Sequence, residues 1–229
     1  VKGTKVKIRL GASSGEWKAM VADEAARTTF AKNIKTVLEK NKLDGIDLDF
    51  EWAENEKEYK DYSLAILKMR EVLGDKYLFS VSLHPVCYKI SKEAIEAVDF
   101  ISLQCYGPSP VRFPIEKYCS DIQMVLEYGI PKEKLVAGVP FYGVTKDNSK
   151  KTEAYFNFVQ NGLVTSPAQN EVIYQGDTYV FDGQDNIRIK TRYAKEQKLK
   201  GMMSWDLATD LPLSDSRSLL KTMTEELRE

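Results

Sequence analysis

Three carboxylates alternate with apolar residues in the run Asp44-Gly45-Ile46-Asp47-Leu48-Asp49-Phe50-Glu51-Trp52. Side chains on a strand point alternately to its two faces, so Asp47, Asp49 and Glu51 share one face and Ile46, Leu48 and Phe50 the other. Same-face neighbours stand ~6.6 Å apart, which stacks the three acids in a row. On an antiparallel edge strand with one face in water, such a row is merely solvated. In a parallel sheet covered on both faces, three like charges cannot all ionise cheaply, and one is expected to keep a proton. A site of that kind holds an acid and an anion side by side. Stacked carboxylates also suit Mg²⁺ or Ca²⁺, but the sequence has no second carboxylate cluster, so neither a metal nor a cofactor is expected. Asp44 and Gly45 are assigned to the approach of the strand and not to chemistry.

The elements that must position this row follow from periodicity. Short apolar runs at Lys5–Leu10, Gly45–Glu51, Leu78–Leu83, Phe100–Tyr106, Leu135–Val139 and Met202–Trp205 read as strands. Amphipathic stretches between them predict helices at Asp23–Lys40 (apolar face Phe30, Ile34, Val37, Leu38), Lys57–Leu73, Ser91–Ala97, Ile115–Tyr128 and Asp185–Lys198. A closing helix is predicted near Ser214–Arg228. Gly74 and Gly129 sit where helices should stop, and Pro114 where one should start. Strand–helix alternation at this spacing predicts parallel strands joined by right-handed crossovers, in about six β/α units. Gly143–Gly183 interrupts the rhythm with a hairpin, Val172–Tyr174 and Thr178–Phe181, around Gln175-Gly176-Asp177.

The 229 residues carry a net charge of −1, with 43% hydrophobic and 29% charged residues. That balance suits an ordinary globular chain and speaks against nucleic acid or a membrane surface as partner. No apolar run approaches the ~20 residues of a membrane span. Cys87, Cys105 and Cys119 are an odd number without a C-x-x-C pair, so buried free thiols are expected.

D-G-x-D-x-D-x-E resembles the signature of glycoside hydrolase family 18, which holds chitinases, endo-β-N-acetylglucosaminidases and some inactive lectins. Phe100–Tyr106 (FISLQCY), Leu135–Gly143 (LVAGVPFYG) and Met202–Asp206 (MMSWD) are similar to the family's sixth, seventh and eighth strands, in order. The resemblance implies a single α/β domain over residues 1–229: a (β/α)₈ TIM barrel, N-terminally truncated to strands three to eight, with a small insertion at 143–183. It implies a retaining mechanism in which the substrate's own acetamide, not an enzyme group, attacks. Glu51 would then be the general acid, Asp49 the partner of the acetamide N–H, and Asp47 the residue sharing a proton with Asp49. Tyr106 would donate to the acetamide oxygen. Trp205 would carry the sugar ring, with Tyr142 and Gln104 lining the same subsite. The implied partner is a polymer or oligomer containing N-acetylglucosamine, and the implied location secreted, periplasmic or cell-surface.

The sequence departs from the family pattern at several places. Gly11-Ala12-Ser13-Ser14 replaces S-x-G-G, whose serine helps hold the first aspartate of the row. Gly107 stands for an aspartate and Val144 for an arginine that contact substrate, and the 143–183 segment matches the family's insertion poorly, as if that wall were reduced. His84 reads as a hydrogen-bonded structural histidine at a strand end. For Trp17 and Trp52, cleft and packing roles both remain open.

Overall fold

A computed structural model describes residues 6–13, 16–107, 113–147 and 151–228. The chain divides into two compact units, Val1–Leu103 with Tyr128–Lys134, and Gln104–Glu127 with Leu135–Glu229.

The first unit runs β1 (Arg9–Ser13), α1 (Trp17–Ala22), α2 (Glu24–Asn41), β2 (Gly45–Asp49), α3 (Glu56–Leu73), β3 (Leu78–Leu83), α4 (Lys92–Ala97) and β4 (Phe100–Leu103). Its four strands are parallel, in the order β1-β2-β3-β4. Asp23 caps α2 by accepting from the Ala26 amide at 2.7 Å, and Asn55 caps α3 from Glu58 at 3.0 Å. Each such cap satisfies an amide the helix leaves unpaired. The apolar face of β2, Ile46 and Leu48, is fully buried, each side chain contributing about 1.5–3 kcal/mol relative to exposure.

Gly45 has a steric reason to be glycine. A Cβ there would lie 1.9 Å from the Leu78 carbonyl oxygen, its neighbour in the β2–β3 register. Gly45→Ala is therefore expected to destabilise the protein by about 3 kcal/mol, since the obstacle is backbone and cannot swing aside. Urea unfolding measures this, and a variant within about 0.5 kcal/mol of the parent would mean that the strands are not in this register.

The second unit contains α5 (Ile115–Tyr128, whose last residue belongs to the first unit), β5 (Leu135–Pro140), β6 (Tyr142–Thr145), β7 (Thr152–Ala154), α6 (Tyr155–Gln160), β8 (Glu171–Tyr174), β9 (Asp177–Val180), α7 (Gln184–Glu196), β10 (Gly201–Trp205) and α8 (Leu219–Arg228). β5 and β10 pair in parallel, which completes the six β/α strands expected. The interruption is a four-stranded antiparallel sheet, β7-β6-β9-β8, with α6. Phe158 of α6 seats its ring where a side chain on Gly143 would be, 2.6 Å from that ideal Cβ, and meets Tyr174, Tyr179 and Phe181. The β8–β9 turn places Gln175 at φ 52° and Gly176 at φ 86°, the two positive values of the tight hairpin that matches strand twist. Lys190 and Asp182 form a buried ion pair at 2.5 Å, and burial pushes the Asp182 carboxyl upward against that pairing.

Several boundaries differ from expectation. β1 begins at Arg9, because only from there does its backbone pair with β2, Arg9 opposite Gly45; Lys5 lies outside the described residues, as does Ser14. On α2 the buried face is Ala31, Ile34 and Leu38, with Val37 turned to solvent and Phe30 half-buried. α8 starts at Leu219 because the buried Asp210 accepts from the Leu219 and Leu220 amides at 3.0 and 2.8 Å and caps it there. The 143–183 segment holds a full sheet and helix where the sequence promised only a hairpin. Cys119 is half-exposed, while Cys87 and Cys105 are buried; all three are free.

Candidate active site

The acidic row begins inside β2 and ends beyond it. Asp47 and Asp49 lie half-buried on the face opposite Ile46 and Leu48. The strand stops at Asp49, and Glu51 follows in the exit segment, exposed. The sequence placed all three acids on one buried strand; instead the row grades from interior to surface. This grading relaxes the like-charge crowding that three enclosed carboxylates would suffer, since solvent screens the outermost one.

Asp47 is a hub. Ser82 Oγ donates to its Oδ2 at 2.7 Å, and Ser80 Oγ donates to its Oδ1. Arg9 Nη1 reaches the same Oδ1 at 3.3 Å and also donates to Ser80 Oγ. Ser80 and Ser82 alternate on β3, and Ser80 stands opposite Asp47 in the register; Gly11 stands opposite it on β1. The residues that hold Asp47 therefore come from both flanking strands. Periodicity could have found them, because Ser80 and Ser82 interrupt an apolar strand two residues apart.

The segment carrying Glu51 is tied down from below. Trp17 Nε1 donates to the Glu51 carbonyl at 3.1 Å, and its indole stacks on Phe50 at 5.2 Å with an 11° interplanar angle. Tyr62 OH donates to the Leu48 carbonyl at 3.4 Å, and the Ala53 amide donates to Cys87 Sγ at 3.2 Å. Burial, with Cys87, Asp47 and Asp49 adding to it, holds the Tyr62 phenol well above its ordinary range, so it stays a neutral donor. Trp17, 1% exposed, is a packing residue. Trp52 is half-buried with its ring 5.0 Å from that of His84. His84 is buried and its Nδ1 accepts from the Val86 amide at 3.4 Å.

The remaining candidates lie in the second unit. Tyr106 is buried and meets Tyr142 edge-on, with ring centroids 6.3 Å apart. The Tyr106 hydroxyl points at Met203 Sδ on β10, 3.9 Å away, a weak acceptor that a stronger one readily replaces. Gln104 is buried just beyond β4. Trp205 ends β10 opposite Pro140 and is 57% exposed. An indole that open at a strand's C-terminal end is not core; it offers a flat apolar platform. The Cys105 thiol, between Gln104 and Tyr106 in sequence, is pushed up to about 12 by burial, which favours the neutral thiol over the thiolate. No cluster of metal-ligating side chains occurs among the described residues, and no described helix is long and apolar enough to cross a membrane.

Residues 2–210 match the family Glycosyl hydrolases family 18. A probable chitinase 2 of Drosophila melanogaster is 23% identical over 90% of this chain and 56% of its own length, so the chain spans little more than half of that relative. Among solved structures, a chitinase from Bacteroides thetaiotaomicron superposes with a TM-score of 0.85 at 21% identity, covering 96% of this chain and 76% of that one. A family 18 chitinase from the chitin utilization locus of Flavobacterium johnsoniae gives 0.81 at 26% identity, covering 96% and 74%.

Proposed function

The chain belongs to family 18 of the glycosyl hydrolases, with the fold of that family's barrels, and from this premise we propose that it cleaves β-1,4 bonds next to N-acetylglucosamine in chitin or chito-oligosaccharides. The observation that carries this reading is the graded row of Asp47, Asp49 and Glu51, with the outermost acid exposed at the strand's exit. A leaving oxygen needs a proton from a group that solvent and substrate both reach, and a nascent cation needs a fixed anion behind it.

Glu51 protonates the glycosidic oxygen as the bond from the anomeric carbon to that oxygen breaks. The acetamide carbonyl oxygen closes onto the anomeric carbon, giving a cyclic oxazolinium ion. Asp49 accepts from the acetamide N–H and balances its charge, and Asp47 backs Asp49. Water then attacks the anomeric carbon and gives its proton to Glu51, reopening the ring with configuration retained. Tyr106 donates to the acetamide oxygen, and Trp205, with Tyr142, supports the sugar ring.

An endo-β-N-acetylglucosaminidase acting on N-glycan cores is the second reading, favoured by Gln104, a buried polar side chain two residues before the candidate tyrosine. Incubating the protein with chitotetraose and with a high-mannose glycopeptide separates the two. Chitotetraose cleavage alone is the expected result. Glycopeptide cleavage alone selects the second reading, and binding without cleavage of either marks a carbohydrate-binding lectin on this scaffold. Gln104 offers a donor and an acceptor to the sugar where methionine only packs. Gln104→Met is therefore expected to cost about 1–3 kcal/mol in kcat/KM. Unchanged kinetics would mean that Gln104 faces away from the sugar.

A further inference from the structure

We propose that Arg9 is a positioning residue for the reaction, acting through Asp47 on the carboxylate row; the proposal rests on the functional reading above. A guanidinium on the polar face of a parallel strand needs a specific anion to justify its place. Arg9 has one: Asp47 Oδ1 at 3.3 Å, with the two side chains 28% and 18% exposed. Its position is fixed from two further sides. The guanidinium carbon lies 4.5 Å from the Phe100 ring centroid on β4, and Nη1 donates to Ser80 Oγ. Ser80 passes that polarity on by donating to Asp47, while Ser82 secures the second oxygen. Arg9 thus reaches across β2 to the β3 side.

The consequence concerns charge as much as geometry. Asp47 and Asp49 are same-face neighbours on one strand, and two carboxylates so placed repel. Among the described residues, the charged groups recorded beside Asp47 are Arg9 from β1 and its same-face neighbour Asp49 on β2. β3 brings the uncharged Ser80 and Ser82, β4 the Phe100 ring beyond Arg9, and α3 the Tyr62 phenol. Arg9 is therefore a cation that lets Asp47 stand as a fixed acceptor behind Asp49.

Arg9→Ala, Arg9→Gln and Arg9→Lys test this with chitotetraose as substrate. Arg9→Ala should lower kcat about 10–100-fold, the scale of a misplaced catalytic group, with KM within about threefold of the parent. Arg9→Gln, which keeps a donor but removes the cation, should show the same loss of kcat at little-changed KM, and decides the matter if the alanine variant does not fold. Arg9→Lys should recover most of kcat, which a merely structural role would not predict. Unchanged kcat in the alanine and glutamine variants would overturn the proposal while leaving the functional reading intact. If the parent binds without turning over, the functional reading fails and takes this proposal with it. A parent that neither cleaves nor binds removes both.

Discussion

Glu51→Gln is expected to abolish hydrolysis of chitotetraose while leaving its binding within a few-fold of the parent. The substitution keeps the side chain's shape and removes only its transferable proton. General acid–base groups contribute about 10²–10⁴ in rate, and in the proposed mechanism Glu51 serves twice, as acid and then as base, so the upper end of that range applies. The fold should not notice. The Glu51 side chain is exposed, and the segment is held through the Glu51 backbone carbonyl, Phe50 and Ala53, by Trp17 and Cys87. Turnover and calorimetric binding of the same oligosaccharide, with a melting curve for each protein, make the measurement. A variant that retained a tenth of parent turnover would take the acid role away from Glu51. One that lost binding and melting temperature together would mean the glutamate is structural.

Which parts of this molecule can be read in its sequence depends on whether the signal is local. α5 occupies Ile115–Tyr128 as periodicity predicts, because Pro114 and Gly129 punctuate it and its partners do not matter to that pattern. The β8–β9 hairpin follows from Gln175-Gly176, whose positive φ values the turn itself demands. The end of β2 is different. Nothing in the alternation Asp-Leu-Asp-Phe-Glu marks Asp49 as the last strand residue. What bears on the strand's end there is tertiary: β3 pairs with β2 only as far as Leu48. The supports of Asp47 are legible only with the register in hand. Arg9 and Ser80 are 71 positions apart and meet on the carboxylate because β1 and β3 flank β2. The two sheet registers, not the family signature, reveal that Ser80 of β3 and Arg9 of β1 hold Asp47 while Gly11 stands opposite it.

Asp49→Asn should lower kcat by about 10²–10³, the usual cost of losing one preorganised group aimed at transition-state charge. The amide is isosteric, so packing around this half-buried position on β2 is retained and Ser13 remains opposite it in the register. What is lost, in the proposed mechanism, is the negative charge that balances the oxazolinium and draws the acetamide N–H into line for attack. The ground-state sugar carries no such charge, so KM for chitotetraose should change little, a split that marks an interaction made in the transition state. A thiazoline analogue of N-acetylglucosamine resembles the cyclic intermediate and gives an independent reading. It should bind the parent far more tightly than Asp49→Asn, while an oligosaccharide ending in the same sugar should bind the two about equally. Equal thiazoline affinity for both proteins would remove acetamide participation from the mechanism. Water would then have to attack an oxocarbenium-like sugar directly, with Asp49 in place of the acetamide as base, and the product would form with inverted configuration. The anomer released from chitotetraose, read by NMR within the first minutes, distinguishes that outcome from retention.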